Sequence, residues 1–416
     1  MSRLKKVIAS ILPGIFLIGY NVGTGSVTSM SKAGANFGLD LLWTVLISCV
    51  ITYYLIVLFS RYTMVTGETV VQGIKKHIGS GLAIGLLTAL TIIIVSALAG
   101  LLGILADVMS EWSNTVLPFE LSSLFWAIFI GVLVYVVIWI GNYSFFENIL
   151  AVLVAVMGLA FVATMVINLP SFSDLMKGFV PSIPEVAKGS DNSPSVILAG
   201  IVGTTVSVFA FIIRSQIVQD TKWSMSDNSI QKRDAFISAS LMFIISAAIL
   251  ITASSTLYVQ GLSMNNVAEM IPLMEPIAGK AALSVFVIGI LAAGLSSHLP
   301  NMLVIPWLII DYKEQERNTQ TTYYRIMLFV LTFTSILGTA FEFRPVFVLM
   351  LSQACIAIVL PVTIGSVFYL TCKKKLMGTH VNKIHDVLIL SMVMLFSLYV
   401  SSLGIEGLIA DLKSIL

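Results

Sequence analysis

Charge is what this sequence most lacks. Lys, Arg, Asp and Glu make up 11% of its 416 residues, against roughly 25% in soluble domains. That scarcity excludes a water-soluble fold. The formal net charge is only +2, so there is no basic field to attract nucleic acid, and none is expected as a partner. Cysteine is also sparse. Cys49, Cys355 and Cys372 show neither a disulfide framework nor metal-ligand spacing and read as small buried residues. There is no P-loop, no His-Glu-x-x-His and no nucleophile triad. An enzyme is therefore not expected, nor a cofactor. Long linkers and low-complexity stretches are absent too, which leaves residues 1–416 as one domain.

Apolar sequence fills the space that charge vacates. Hydrophobic residues make up 57% of the chain, in eleven segments near or above the roughly 20 residues that span a bilayer. They run over 10–31, 38–61, 81–108, 121–141, 147–169, 195–218, 235–259, 281–311, 323–341, 345–371 and 386–410. The fold expected is all-α and polytopic, embedded in a lipid bilayer, with a retained first helix rather than a cleaved signal. With the N-terminus in the cytoplasm, Arg61, Lys75, Lys76, Lys313 and Lys373–Lys375 fall inside, while Lys32, Lys177 and Arg344 are among the few cations outside. That bias agrees with the positive-inside rule and puts the C-terminus outside. A bacterial inner membrane is the expected location.

Two polar interruptions cut otherwise apolar segments: Val22-Gly23-Thr24-Gly25-Ser26, and Val202-Gly203-Thr204-Thr205-Val206-Ser207. Backbone that leaves the helix at membrane depth is tolerated only where protein buries it or it lines a cavity. A matched pair of such breaks in the two halves of a chain points to a transporter's substrate site. A lone Gly-Thr-Gly would read as a close-packing surface; the pairing favours a site. A channel would instead show a filter or a repeated pore motif.

The break, with Leu12-Pro13-Gly14 before it and Ala33-Gly34-Ala35 and Leu41-Leu42-Trp43 after it, resembles the first helix of the NRAMP metal transporters. Phe146-Glu147, Val202–Val206, Ala293–Ser297 and Leu351-Ser352-Gln353 resemble the family's fifth, sixth, eighth and tenth helices. The resemblance implies the leucine-transporter type of fold: a five-plus-five inverted repeat over 10–169 and 195–371, broken helices 1 and 6, and an eleventh helix at 386–410. It also implies secondary transport by alternating access. The family binds manganese or iron through an Asp-Pro-Gly-Asn motif, which here reads Gly23-Thr24-Gly25-Ser26, and a Met-Pro-His that here reads Ser207-Val208-Phe209. Its helix 3 carboxylates fall at Ala97 and Gly100 and a helix 6 histidine at Arg214; its helix 10 glutamine is kept as Gln353.

The expected substrate site is Gly23, Thr24, Gly25, Ser26, Thr204, Ser207, Phe209 and Gln353. These side chains are neutral, and a divalent ion in low dielectric needs compensating charge. Asp107, Glu147, Asp220 and Asp311 lie towards segment ends. The first expectation is thus a small anion such as bicarbonate, held by backbone N–H groups and hydroxyls. The alternative is a divalent metal that keeps water ligands, favoured if the pocket is large. Coupling to sodium or protons is left open. Gly19, Val22, Ser296 and Ser297 could form a sodium site, and His298 is the one titratable group well inside a span. Arg214 could raise the potential at the site or snorkel to the cytoplasmic interface. No obligate protein partner is evident.

Overall fold

The computed structural model describes residues 21–415 apart from 141–151, 153–154, 157, 160, 164, 168, 185–192, 262–269, 316–320 and 342–343, with backbone alone at 24, 270–286, 411–412 and 414–415. Every regular element among the described residues is a helix. The longer ones are α1 (Thr24–Phe37), α2 (Leu42–Thr66), α3 (Val70–His77), α4 (Ser80–Val116), α5 (Ser123–Ile140), α6 (Phe172–Gly178), α7 (Pro194–Thr205), α8 (Val208–Asp220), α9 (Asn228–Thr256), α10 (Met270–Tyr312), α11 (Thr322–Ala340), α12 (Pro345–Cys372) and α13 (Ile384–Ile415). Local chemistry sets their ends. Gly67 takes a left-handed φ of 72° and closes α2, a conformation only glycine adopts cheaply. Two residues on, Thr69 and Gln72 form a reciprocal capping box that starts α3. Ser193 caps α7 and Pro194 occupies its first turn.

Nine stretches among the described residues are long and apolar enough to cross a membrane. They correspond to nine of the eleven predicted segments. About half of the first and fifth segments, and Phe146-Glu147 entirely, lie outside the described residues, so the count of eleven stays an expectation. The apolar stretch formed by α7 and α8 is buried up to Val218, whereas α5, α11 and α13 leave most of their apolar surface outward, as lipid-facing helices do.

α9 packs along α1 and α2, and α8 along α2; on the other side α4 packs along α12, α10 and α11. α7 bridges the two groups through α12, α1 and α2. Two buried polar clusters tie α8, the second half of the broken helix, to its neighbours. Arg214 of α8 is fully buried, with Nη1 2.6 Å from Asp234 Oδ2 of α9 and Nε donating to Ser60 Oγ of α2 at 3.0 Å. At the end of α10, Asp311 accepts from Thr69 Oγ1 at 2.9 Å, Gln72 Nε2 at 2.9 Å and Gln216 Nε2 at 3.1 Å.

The packing corrects two expectations. Arg214 does not snorkel: it is held inside by Asp234, which immediately precedes the predicted segment 235–259. Lys32 is not an outside-loop cation but is buried in α1, because that helix continues through the core to Phe37.

Candidate substrate site at two helix breaks

The interruptions are shorter than the sequence suggests. In the first, only Val22 and Gly23 leave the helix, and Thr24-Gly25-Ser26 form the first turn of α1. In the second, Gly203-Thr204-Thr205 complete α7 and only Val206-Ser207 are non-helical. Glycine at both places allows helices to touch backbone to backbone. A Cβ on Gly23 would lie 1.3 Å from Ser297 Oγ, and one on Gly203 would lie 2.1 Å from the carbonyl oxygen of Gln353. α1 and α8 thus begin at the breaks with no side-chain cap, and their first N–H groups have no intrahelical acceptor. The carbonyls that end α7 are the opposite pole, and one of them, Thr205 O, accepts from Thr52 Oγ1 at 2.8 Å.

A cavity of about 40 Å³ sits where the breaks meet. Its polar lining comprises Asn21, Ser26, Thr204, Ser207, Ser297, Asn301 and Gln353 beside Gly23 and Gly25; its apolar lining includes Ala97, Leu101, Leu349 and Phe209. The structure therefore gathers seven of the eight predicted substrate residues around one space. The eighth, Thr24, opens α1, and its side chain lies outside the described set. Among the predicted coupling residues, Ser297 lines the cavity and Val22 is buried at the break. Ser296 turns its hydroxyl back onto Ala293 O at 2.9 Å. His298, the next residue, is buried but does not line the cavity. Gly19 lies outside the described residues.

Three polar residues were missed by the sequence reading. Asn21 precedes the first break; its Oδ1 is buried with no hydrogen-bond partner, while its Nδ2 lies 3.7 Å from Met242 Sδ. Asn301, one turn beyond Ser297, donates to Ser297 O at 2.9 Å. Ser29 donates to Gln353 Oε1 at 2.6 Å, which turns Gln353 Nε2 towards Gly25. Spacing held the signal for Asn301, which is one helical turn, i to i+4, from a predicted site residue. No acidic side chain lines the cavity, and among the described residues no cluster of three or more His, Cys, Asp or Glu could hold a metal. The cavity is also small. It has room for roughly three waters, so it does not admit a fully hydrated divalent ion, contrary to the large pocket which that option called for.

The natural resistance-associated macrophage protein-like (Nramp) family model matches residues 14–405. The chain belongs to the Nramp family. Its relatives extend over nearly its whole length. It is 25% identical to the divalent metal cation transporter MntH of Caldanaerobacter subterraneus subsp. tengcongensis, covering 97% of this chain and 95% of that one. To MntH of Staphylococcus haemolyticus it is 24% identical, covering 91% and 87%. The fold matches a mutant of the Eremococcus coleocola manganese transporter with a TM-score of 0.77 at 17% identity, covering 100% and 89%. It also matches Mhp1, a nucleobase-cation-symport-1 family transporter with bromovinylhydantoin bound, with a TM-score of 0.58 at 14% identity, covering 98% and 91%. This Nramp protein is an all-helical integral membrane transporter.

Proposed function

We propose that this Nramp protein carries a small divalent metal cation by alternating access, holding it between the two helix breaks with neutral oxygen donors and a few retained waters. The observation that carries this reading is Asn21, which lines the cavity and whose buried Oδ1 has no hydrogen-bond partner. An orphaned buried acceptor costs about 1–3 kcal/mol, and a cation recovers that cost by ligation. Ser26, Thr204 and Ser207 hydroxyls and backbone carbonyls at the end of α7 can complete an oxygen shell. The near-full-length relatives described as divalent metal cation transporters support the same reading. They favour it over the small anion that composition alone suggested.

A second reading keeps one specific support. With Gln353 Nε2 turned to the cavity and no carboxylate in the lining, a small anion such as bicarbonate would find donors and no repulsion. Turning the amide over, with Ser29 Oγ accepting from Nε2 and donating to Met350 Sδ 3.4 Å away, exposes Oε1 to a cation instead. For the coupling ion, sodium would sit between the backbone at Val22-Gly23 and Ser297 Oγ; a proton would have to use His298, one residue behind the cavity wall.

The deciding experiment is flux into proteoliposomes loaded with a metal-quenched dye, with manganese, magnesium and calcium outside, beside a parallel series with labelled bicarbonate. Saturable manganese or magnesium entry, accelerated by the same metal inside, is expected. Bicarbonate entry with no flux of any metal would overturn the proposal.

A further inference from the structure

A groove of about 270 Å³ lies on the outer face of the bundle between α5 and α11, lined by Tyr135, Trp139, Thr322, Arg325, Ile326 and Phe329. It is remote from the substrate cavity and shares no residue with it. We propose that it binds an anionic phospholipid, with the lipid phosphate on Arg325 and an acyl chain along Phe329.

The chemistry of Arg325 sets the ligand's charge. Its guanidinium carbon lies 3.9 Å from the centroid of the Trp139 ring, and its Nε is buried with no hydrogen-bond partner. No carboxylate bridges it among the described residues. A guanidinium seated over an indole is restrained there by cation–π attraction, with its fork left to take two phosphate oxygens. A cation left unpaired at a bilayer edge is costly, and an anion from the lipid itself is the nearest remedy.

The surroundings set the rest of the ligand. Tyr135 lies against Trp139 at 5.5 Å with the rings tilted by 50° and meets Phe329 edge-on at 6.3 Å, giving an aromatic wall of the kind found at headgroup depth. Trp139, Ile326 and Phe329 are 43–59% exposed, and α5 and α11 are, with α13, the least buried of the spans. The groove therefore faces acyl chains rather than water.

Its polar end is the basic end of the molecule. Lys313 lies 5.0 Å from the ring of Tyr323, next to Thr322. Lys75 and Lys76 join Glu314 there at 3.1 and 2.9 Å, and Lys373 donates to His77 O at 3.1 Å. By the positive-inside bias this end is cytoplasmic, the leaflet whose anionic lipids are drawn to basic pockets between spanning helices.

Native mass spectrometry of the purified full chain tests this, with phosphatidylglycerol and phosphatidylcholine of identical acyl chains added in turn. Wild type should retain phosphatidylglycerol in preference. Arg325→Gln should weaken that retention about five-fold, equal to the ~1 kcal/mol that one basic residue contributes at an anionic surface. Trp139→Leu should weaken it too, and phosphatidylcholine retention should stay as it was. Lys177→Gln, on a cation 75% exposed elsewhere, should change nothing. If Arg325→Gln does not yield folded protein, Trp139→Leu carries the test. Equal retention of both lipids by wild type, or undiminished phosphatidylglycerol retention by the folded variants, would overturn the proposal. So would full displacement by inorganic phosphate, since a free anion would then be the ligand.

Discussion

Gly25→Ala probes the cavity with one added carbon. The new Cβ would stand 2.1 Å from Gln353 Nε2 and 3.3 Å from its Cδ, where ordinary contact starts at 3.4 Å. The amide must therefore retreat by roughly 1.3 Å, and a displacement of about 1 Å can cost on the order of 100-fold in rate. It can retreat only by giving up the 2.6 Å bond from Ser29. Because the obstacle is the end of a flexible side chain, the fold should survive with a loss of about 1–3 kcal/mol. Gly203→Ala is the contrast. There the obstacle is backbone, the Gln353 carbonyl at 2.1 Å, so loss of folded protein is expected. Initial uptake rates in proteoliposomes, normalised to protein recovered as a monodisperse peak, should show Gly25→Ala folded and about 100-fold slower. The double variant Gly25→Ala/Gln353→Ala should be no slower than Gln353→Ala alone, since the clash is then gone. Folded Gly25→Ala transporting within two-fold of wild type would refute the reasoning, and with it the placement of the substrate beside Gly25.

Other perturbations address separate links. Gln353→Glu and Asn21→Asp each add a carboxylate to the cavity wall; both should lower the KM for metal at least ten-fold, and abolished metal uptake in both would speak for an anion site. Ser297→Ala should flatten the dependence of uptake on sodium, and an unchanged sodium response would remove the site proposed at the first break. Asp234→Ala should strand the buried Arg214 and cost about 3–5 kcal/mol, read as a large fall in melting temperature; adding Arg214→Met should restore most of it, and no recovery would show that the pair is not the cause. Hydrogen bonds from Lys76 and Lys75 hold the Glu314 carboxyl below its usual 4.5. Their contribution is therefore present above that value and is lost as pH falls through the lower folded one; Glu314→Gln should remove this step from a melting-temperature profile between pH 3 and 7.

The spans were legible because lipid permits only one reading of a 20-residue apolar run. The position of the cavity at the two breaks was legible for a similar reason: Gly-Thr-Gly-Ser and Gly-Thr-Thr are conspicuous inside such runs. What stayed hidden depended on neighbours distant in sequence. Asn21 looks like an ordinary polar residue until its Oδ1 is seen without a partner. Ser29 acts through Gln353, 324 positions away. Arg214 could not be assigned without Asp234, because an acid near a segment edge looks solvent-bound until helix packing closes over it. The substrate was hardest to read. Side-chain charge argued against a metal, and counting charged groups takes no account of a buried amide oxygen that needs a ligand.

The pairing of Arg214 with Asp234 also bears on how the chain enters the membrane. The two lie 20 residues apart, six from the end of α8 and six from the start of α9, so both sit about 9 Å along their helices from the connecting turn. Inserted alone, either helix would carry a charge worth roughly 2.5–3.5 kcal/mol against partition into lipid. Inserted together as a hairpin, the charges meet and cancel before any other helix is needed. The newly made segment of α8 should therefore wait at the translocation site until α9 has emerged, which makes the hairpin the unit of biogenesis.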